Sequence, residues 1–321
     1  MTDYVLGIDT SAYTTSVALT DFNTGEVIAD KRAVLSVPSG KKGLRQQDAV
    51  FQHLKNFCRL YEEIEAELKN IKVVSVSSKP RNVEGSYMPV FTVGQGYGKT
   101  IAGTLDCKYL EYSHQENHIA ASLINQYKKL NNNILAIHMS GGTTEFLSVS
   151  KAHKGYNASI EGGSKDITFG QLVDRVGTIM EFPFPCGIYM EKYLESNFNI
   201  ENIKVPAISG ESYINLSGME NYYSNLYLSG KYSMESVINS LFRYISDCIL
   251  HVINSIKQKF YFDTVILAGG VASNGMIRSL VSEKLNQYKV IFPTKENSSD
   301  NAVGVSFLPI IDRWYNENKT H

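Results

Sequence analysis

Two histidines four residues apart, in His114-Gln115-Glu116-Asn117-His118, are the first residues here whose type and spacing could do chemistry. In the first turns of a helix, positions i and i+4 project to one side. That geometry suits two imidazoles on one metal ion, with a third ligand drawn from elsewhere in the chain. A zinc-protease helix needs an acid directly after the first histidine. Here the acid, Glu116, stands in the middle and faces away, so the spacing excludes that enzyme. Taken alone, the pair fits a metal and a chance surface pair equally well.

Three turns could cradle a phosphate. Asp9-Thr10-Ser11 and Ser140-Gly141-Gly142-Thr143 each follow an apolar run, and glycines let a backbone approach oxygen closely. Asp9 could orient a metal or a water there. The third, Gly269-Gly270, follows the apolar run 264–268 and leads to Asn274, which can cap a helix or bond a ligand. Ordinary hairpin turns would also use these residues, but three in related contexts point to a nucleotide. The segment Gly94-Gln95-Gly96-Tyr97-Gly98-Lys99-Thr100 imitates a P-loop, yet Val93 stands where its first glycine is required. It reads as a glycine-rich loop entering a helix. Asp174 lies on a helix over 170–180 but outside its buried stripe of Leu172, Val173, Val176 and Ile179/Met180. The following Pro185-Cys186-Gly187 turn could bring Gly187 against a ribose or base.

Short strand patterns alternate with helical ones, which predicts an α/β protein. Strands are expected at 4–8, 14–20, 73–77, 108–112, 134–139, 144–149 and 264–268. A helix over 48–69 is expected from Val50, Leu54, Phe57, Tyr61, Ile64 and Leu68. A long helix is expected over 234–260, and others follow Ser113, Asn274 and Asp300. Ser113 and Glu116 form a capping box in sequence. Asn131–Asn133 reads as a loop by composition. The runs around residues 7 and 139 both read strand, small-residue turn, strand, which predicts two related lobes.

The 321 residues carry 31 basic and 32 acidic side chains, a net charge of -1, which excludes a binder relying on gross positive charge. Cys58, Cys107, Cys186 and Cys248 make no CxxC pair and are expected as inert thiols in a reducing compartment. No signal peptide and no apolar run of the ~18 residues a membrane helix needs is present. A cytoplasmic protein with no membrane partner is therefore expected.

Together these motifs resemble the TsaD family, the threonylcarbamoyl-adenosine synthases of tRNA, once classed as glycoproteases. The resemblance runs nearly end to end. It rests on Gly7-Ile8-Asp9-Thr10-Ser11, His114 with His118, Ser140-Gly141-Gly142, the helix with Asp174, Pro185-Cys186-Gly187, Ser217-Gly218-Met219-Glu220, Ala268 to Asn274, and Ser299-Asp300-Asn301. It implies an actin-like, hexokinase-like fold of two ribonuclease-H-like lobes around a cleft, placed at 1–107 with 300–321 and at 108–299. It also implies one divalent metal, iron or zinc, held by His114, His118 and Asp300. An adenine nucleotide (ATP, ADP, AMP or an acyl adenylate) would lie against His138, Met139, Ser140, Gly141, Gly142, Asp174, Gly187, Gly270 and Asn274. Among the residues read on their own, Asp9 is the candidate catalytic residue. The implied reaction moves threonylcarbamoyl from its adenylate to the adenosine beside the tRNA anticodon, with the metal as Lewis acid. Implied partners are tRNA and a TsaB-like paralogue or a second copy of the chain.

The sequence departs from the family at several points. Ala12, Tyr13 and Thr14 replace its Cys-Asp-Glu run, Thr143 and Glu145 replace a His and a Gln, and Glu220 replaces a Lys. Lys79-Pro80-Arg81 lacks its glycines. Such changes fit a paralogue with a changed substrate or lost turnover. The alternatives are thus a non-catalytic scaffold of a tRNA-modification complex and an actin-like-superfamily phosphotransferase.

Overall fold

The computed structural model describes residues 2–11, 13–37, 44–64, 68–129, 133–196 and 200–318. In chain order the elements are β1 (Tyr4–Asp9), β2 (Thr14–Asp21), β3 (Val27–Val34), α1 (Gln46–Glu62), β4 (Ile71–Lys79), α2 (Phe91–Leu105), β5 (Lys108–Ser113) and α3 (His114–Leu123). They continue with β6 (Ile134–Met139), β7 (Thr144–Lys151), β8 (Tyr156–Ser164), α4 (Phe169–Ile179), α5 (Cys186–Glu195), β9 (Tyr213–Ile214), α6 (Ser217–Leu228) and α7 (Met234–Ile256). Last come β10 (Thr264–Ala268), α8 (Gly275–Lys284), β11 (Lys289–Ile291) and α9 (Val303–Asn318).

The chain forms two compact units. Unit 1 is Met1–Leu130, Lys151–Asn157 and Lys295–His321; unit 2 is Asn131–Ser150 and Ala158–Thr294. The expected boundary at 107/108 therefore moves. Strand β5 pairs in parallel with β4, and α3 packs on α9, so both stay with unit 1.

The first sheet runs β3-β2-β1-β4-β5 and the second β11-β10-β6-β7-β8-β9. In each, the first strand (β1 or β6) pairs antiparallel with its successor across a tight turn. On its other side it pairs in parallel with a later strand (β4 or β10). The repeat seen in the sequence is thus a repeat of topology. Unit 2 is held by one core in which Val237, Leu241, Ile245, Cys248 and Val252 of α7 meet Leu135, Ile137, Val265 and Leu267 of the sheet. In unit 1, Leu6, Ile8, Val17, Leu19, Val74 and Val76 meet Phe57 and Leu60 of α1.

Three details of unit 1 position its chemistry. Glycines Gly94 and Gly98 lie inside α2 rather than in a loop. A Cβ on Gly98 would stand 2.6 Å from Val76 Cγ1, so the helix reaches the sheet only because that side chain is missing. Helix α9 crosses α3 at Gly304, where a Cβ would meet the Asn117 carbonyl at 2.0 Å. Pro309, inside α9, cannot donate to the carbonyl four residues back. That carbonyl, of Val305, accepts from Ser75 Oγ instead, at 2.6 Å.

Other expectations shift. Helix α1 ends at Glu62, not 69, and its buried stripe is Ala49, His53, Phe57 and Leu60, which keeps the expected Phe57 and replaces Val50, Leu54 and Tyr61 by the residue before each. Leu54 is 41% exposed. Helix α7 ends at Ile256, and Ile179 of α4 faces solvent while Met180 is buried. Residues 131 and 132 of the expected asparagine loop, and Ala12, lie outside the described residues. All four cysteines are free. No helix among the described residues is long and apolar enough to cross a membrane.

Candidate functional site

Helix α3 begins at His114 because Ser113 caps it. The Ser113 hydroxyl accepts from the Glu116 amide, and the Glu116 carboxylate takes the Ser113 amide in return, the box expected from sequence. Glu116 is thereby turned away from the histidine face, and its other oxygen accepts from the Tyr156 amide at 2.9 Å. His114 and His118 then share one side of the first turns, with their Nε2 atoms 3.0 Å apart.

The third donor arrives from the segment before α9. Asp300 Oδ1 lies 3.5 Å from His114 Nε2 and 3.4 Å from His118 Nε2. What brings it there is Asn117, buried between the histidines. Its amide donates to the Asn301 carbonyl and to Asp9 Oδ2, and its oxygen accepts from the Val305 amide. Asn301 in turn caps α9, its Oδ1 accepting from the Val303 and Gly304 amides.

Asp9, at the end of β1, is 0% exposed and fully engaged. Oδ1 accepts from the Ser11 amide at 2.8 Å. Oδ2 accepts from Ser77 Oγ at 2.7 Å, Asn117 Nδ2 at 2.7 Å and His114 Nδ1 at 2.8 Å. Because the carboxylate can only accept, His114 holds a proton on Nδ1, and Nε2 is the nitrogen turned toward His118 and Asp300. Asp9 therefore orients a histidine rather than presenting itself to a ligand. Burial opposes charge on His114, but Asp9 and Asp300 outweigh it and push its pKa up to about 10. Burial likewise opposes charge on Asp300, yet the two histidines hold its carboxyl far below the usual range. Asp9 is also lowered, its burial overcome by His114.

The donor set fits a divalent ion. His114, His118 and Asp300 offer atoms within 4.8 Å of one another. From the three separations, a point equidistant from them lies about 1.9 Å from each, close to the ~2.0–2.2 Å of zinc bonds to nitrogen and oxygen. Two imidazoles and one carboxylate leave positions open for another oxygen, a set that iron or zinc accepts. A carboxylate behind one imidazole is the usual support for such a ligand. Ser11 Oγ, on the residue whose amide binds Asp9, is buried without a hydrogen-bond partner among the described residues.

Unit 2 assembles its own candidate residues. The turn after β6 closes through the Ser140 amide, which donates to the Thr143 carbonyl, while Ser140 Oγ accepts from the Gly142 and Thr143 amides. Helix α4 starts on this turn. Thr168 Oγ1 donates to the Gly141 carbonyl, and a Cβ on Gly170 would meet the Ser140 carbonyl at 2.6 Å. A Cβ on Gly269, at φ +93°, would collide with the Met139 carbonyl and stand 3.1 Å from His138 Cδ2. Cβ atoms on Gly141, Gly142 and Gly270 would have nothing within 4 Å, so their backbones are open to a ligand. Asn274 caps α8 through Oδ1, at 2.9 Å from the Ile277 amide, and its buried Nδ2 has no partner among the described residues.

Asp174 lies on α4 outside its buried stripe. It is half-buried, its Oδ1 accepts from the Cys186 amide at 2.8 Å, and burial raises its pKa. It thereby fixes the first turn of α5, where Gly187 lies 3.5 Å from Val173 Cγ1 by its would-be Cβ. Glu220 pairs with Arg175 at 2.7 Å. The residues that sequence reasoning passed over are Asn117, Ser77 and Gly304. Asn117 carried the one available signal, a polar residue at the core side of a helix between two candidate ligands.

The TsaD family model, described as tRNA N6-adenosine threonylcarbamoyltransferase, matches residues 43–307. Proteins named tRNA N6-adenosine threonylcarbamoyltransferase from Malacoplasma penetrans and Streptococcus pneumoniae are 26% and 25% identical to the chain. Each alignment covers 98% of the chain, and respectively 100% and 94% of the relative. Among solved structures, component A of (R)-2-hydroxyglutaryl-CoA dehydratase from Acidaminococcus fermentans matches with a TM-score of 0.57 at 14% identity, over 97% of this chain and 99% of that one. HypF from T. kodakarensis matches with a TM-score of 0.61 at 12% identity, over 98% and 48%. A ROK family glucokinase from Streptomyces griseus gives 0.54 at 10%, over 95% and 98%. These likenesses carry the fold, an actin-like, hexokinase-like ATPase fold. The family model spans most of the sequence, including the α3 histidines, the glycine turns and Asp300, and the chain belongs to the TsaD family.

Proposed function

We propose that this protein is a cytoplasmic, metal- and adenine-nucleotide-binding carbamoyltransferase of the TsaD type. Its donor group is threonylcarbamoyl-adenylate and its acceptor the exocyclic amine of adenosine in tRNA. The observation that carries this reading is the cluster of His114, His118 and Asp300 with Asp9 behind it. A metal bound there supplies a Lewis acid for a carbamoyl or phosphate oxygen. Asp9 holds a proton on His114 Nδ1, so Nε2 is the nitrogen that would meet the metal once its own proton is lost. Gly141, Gly142 and Gly270 leave backbone bare for a phosphate or ribose, and Asn274 Nδ2 supplies a donor for a nucleotide oxygen or ring nitrogen. Transfer forms a C–N bond at the adenosine amine, breaks the bond from carbamoyl carbon to adenylate oxygen, and releases AMP and a proton. A TsaB-like paralogue or a second copy of the chain completes the working complex.

A second reading, a paralogue that binds the same ligands but has lost or changed its transfer, is favoured by Tyr13 and Thr14, which offer no carboxylate, and by Glu220, which is tied to Arg175. Complementation separates the two. A strain depleted of its own threonylcarbamoyl-adenosine synthase is given this chain, and the modified nucleoside is measured by mass spectrometry. Restored nucleoside, lost again in His118→Ala, is the expected result. No nucleoside from a protein that still holds metal and adenine nucleotide selects the paralogue. A purified protein that binds neither ligand overturns both.

A further inference from the structure

Unit 1 holds a cavity of about 520 Å³ formed by residues with no part in the histidine cluster. One wall comes from β5, where Lys108, Leu110 and Tyr112 alternate onto one face. The facing wall comes from α9, where Pro309, Asp312, Arg313 and Asn316 follow i, i+3, i+4, i+7 and form one helical stripe. Strand β5 is the edge of its sheet, so nothing further along the sheet closes this side. Val73 and Phe22 complete an apolar lining with Leu110 and Pro309.

The charges around this hollow are mostly positive. Lys72, Lys108 and Lys154 line it, and none has a carboxylate partner among the described residues. Arg313 is held in place rather than neutralised. Its guanidinium lies 4.2 Å from the Phe22 ring centroid and donates to the Phe22 carbonyl and Asn23 Oδ1. The one acid, Asp312, is already saturated. It accepts from Lys151 Nζ at 2.7 Å, Tyr112 Oη at 2.7 Å and the Gly155 amide at 2.9 Å. Its charge is therefore matched by Lys151, which is not a lining residue, and the lining keeps an excess of cations.

We propose that this cavity binds a small amphipathic anion, a carboxylate, sulfonate or phosphate head on an apolar ring or branched body. The volume falls in the ~300–1,000 Å³ range of small-molecule sites, which are mostly apolar with a few placed polar groups. A bare inorganic anion gains nothing from the Val73, Leu110 and Pro309 walls. A neutral apolar molecule gains nothing from the lysines. Only a ligand with both parts uses the whole lining, and the cations, Lys154 among them with its ammonium 5.2 Å from the Tyr112 ring centroid, line one hollow instead of a strip of surface as an extended polyanion requires.

The probe is 8-anilinonaphthalene-1-sulfonate, followed by fluorescence titration of the full chain, with uncharged N-phenyl-1-naphthylamine as its counterpart. The expected result is saturation at one sulfonate dye per chain and at least tenfold weaker binding of the uncharged dye. Lys72→Glu with Lys108→Glu, both at exposed positions, is expected to weaken the sulfonate dye at least tenfold. Leu110→Trp, which fills the hollow, is expected to abolish binding. Equal binding of the two dyes, unchanged binding in the lysine variant, or no dye bound overturns the proposal. So does displacement of the dye by an RNA duplex but by no small carboxylate or phosphate monoester. Should Leu110→Trp fail to fold by thermal melt, the lysine variant and the dye pair decide the matter.

Discussion

Replacing Asp9 with asparagine should change how metal affinity depends on pH more than it changes the affinity itself. His114 can bind a metal only through an unprotonated Nε2, and its pKa stands at about 10. At pH 7 only about one molecule in 1,000 carries the free nitrogen, so apparent affinity is about 1,000-fold below its limit and rises about tenfold per pH unit. Across pH 6.5 to 8.5 the gain is about 100-fold. Asp9 is the strongest of the influences holding that proton. In Asp9→Asn the His114 pKa falls and the pH dependence flattens. The same substitution removes the carboxylate support of a ligand, which costs roughly 10–100-fold in limiting affinity. It also leaves an amide facing one of the four donors that Asp9 accepts. The wild-type line of log affinity against pH is therefore the steeper of the two, and the ratio of wild-type to variant affinity rises with pH. Zinc titrated against a chromophoric chelator at four pH values, for both proteins, measures this. Parallel lines, or a wild-type line that does not rise with pH, would refute the reasoning.

Three further outcomes are expected. Gly304→Ala forces a methyl onto the Asn117 carbonyl, so it should destabilise by about 2 kcal/mol or more in denaturant melts and lower the metal bound per chain, because the same crossing delivers Asp300. Ser75→Ala leaves the Val305 carbonyl without its donor and should cost about 1–3 kcal/mol. In a Pro309→Ala background the restored amide serves that carbonyl and the cost should fall below about 1 kcal/mol. Burial lowers the pKa of His53 from 6.5 to about 4, so the unfolded chain takes up the proton first. The stability that His53 contributes is complete above pH 6.5 and declines toward pH 4. Relative to His53→Leu, the wild type should lose about 2 kcal/mol between pH 7.5 and 5, read from denaturant midpoints.

How far the sequence could be read depended on how strongly each residue type announces its surroundings. The strand-turn-strand pairs were legible because their apolar runs are continuous and their turns are rich in glycine and hydroxyl residues. The stripe of α1 was placed correctly at Phe57 and one residue late at Val50, Leu54 and Tyr61, because its buried face uses Ala49 and His53, weak hydrophobes, while Leu54 is spent on the surface. The glycines of α2 read as a loop since nothing local reports that a helix must approach Val76. In the site, spacing alone located His114 and His118, but Asp300 lies 182 residues beyond His118 and entered only through resemblance to a family. Asn117, which joins Asp9, Asn301 and Val305, was not visible because its role exists only once β1, α3 and α9 meet.

The division of the chain also sets the order in which its two units are completed during synthesis. Unit 2 is complete once residue 294 has been made, whereas unit 1 still lacks the segment from Lys295 onward. Unit 2 can therefore fold on the ribosome while the first sheet of unit 1 waits, its β1 glycine and Ser75 facing an absent α9. Until α9 emerges, the part of unit 1 already made has an uncovered face where α9 will pack. Stalling or truncation before residue 303 should release a folded unit 2 tethered to an aggregation-prone remainder.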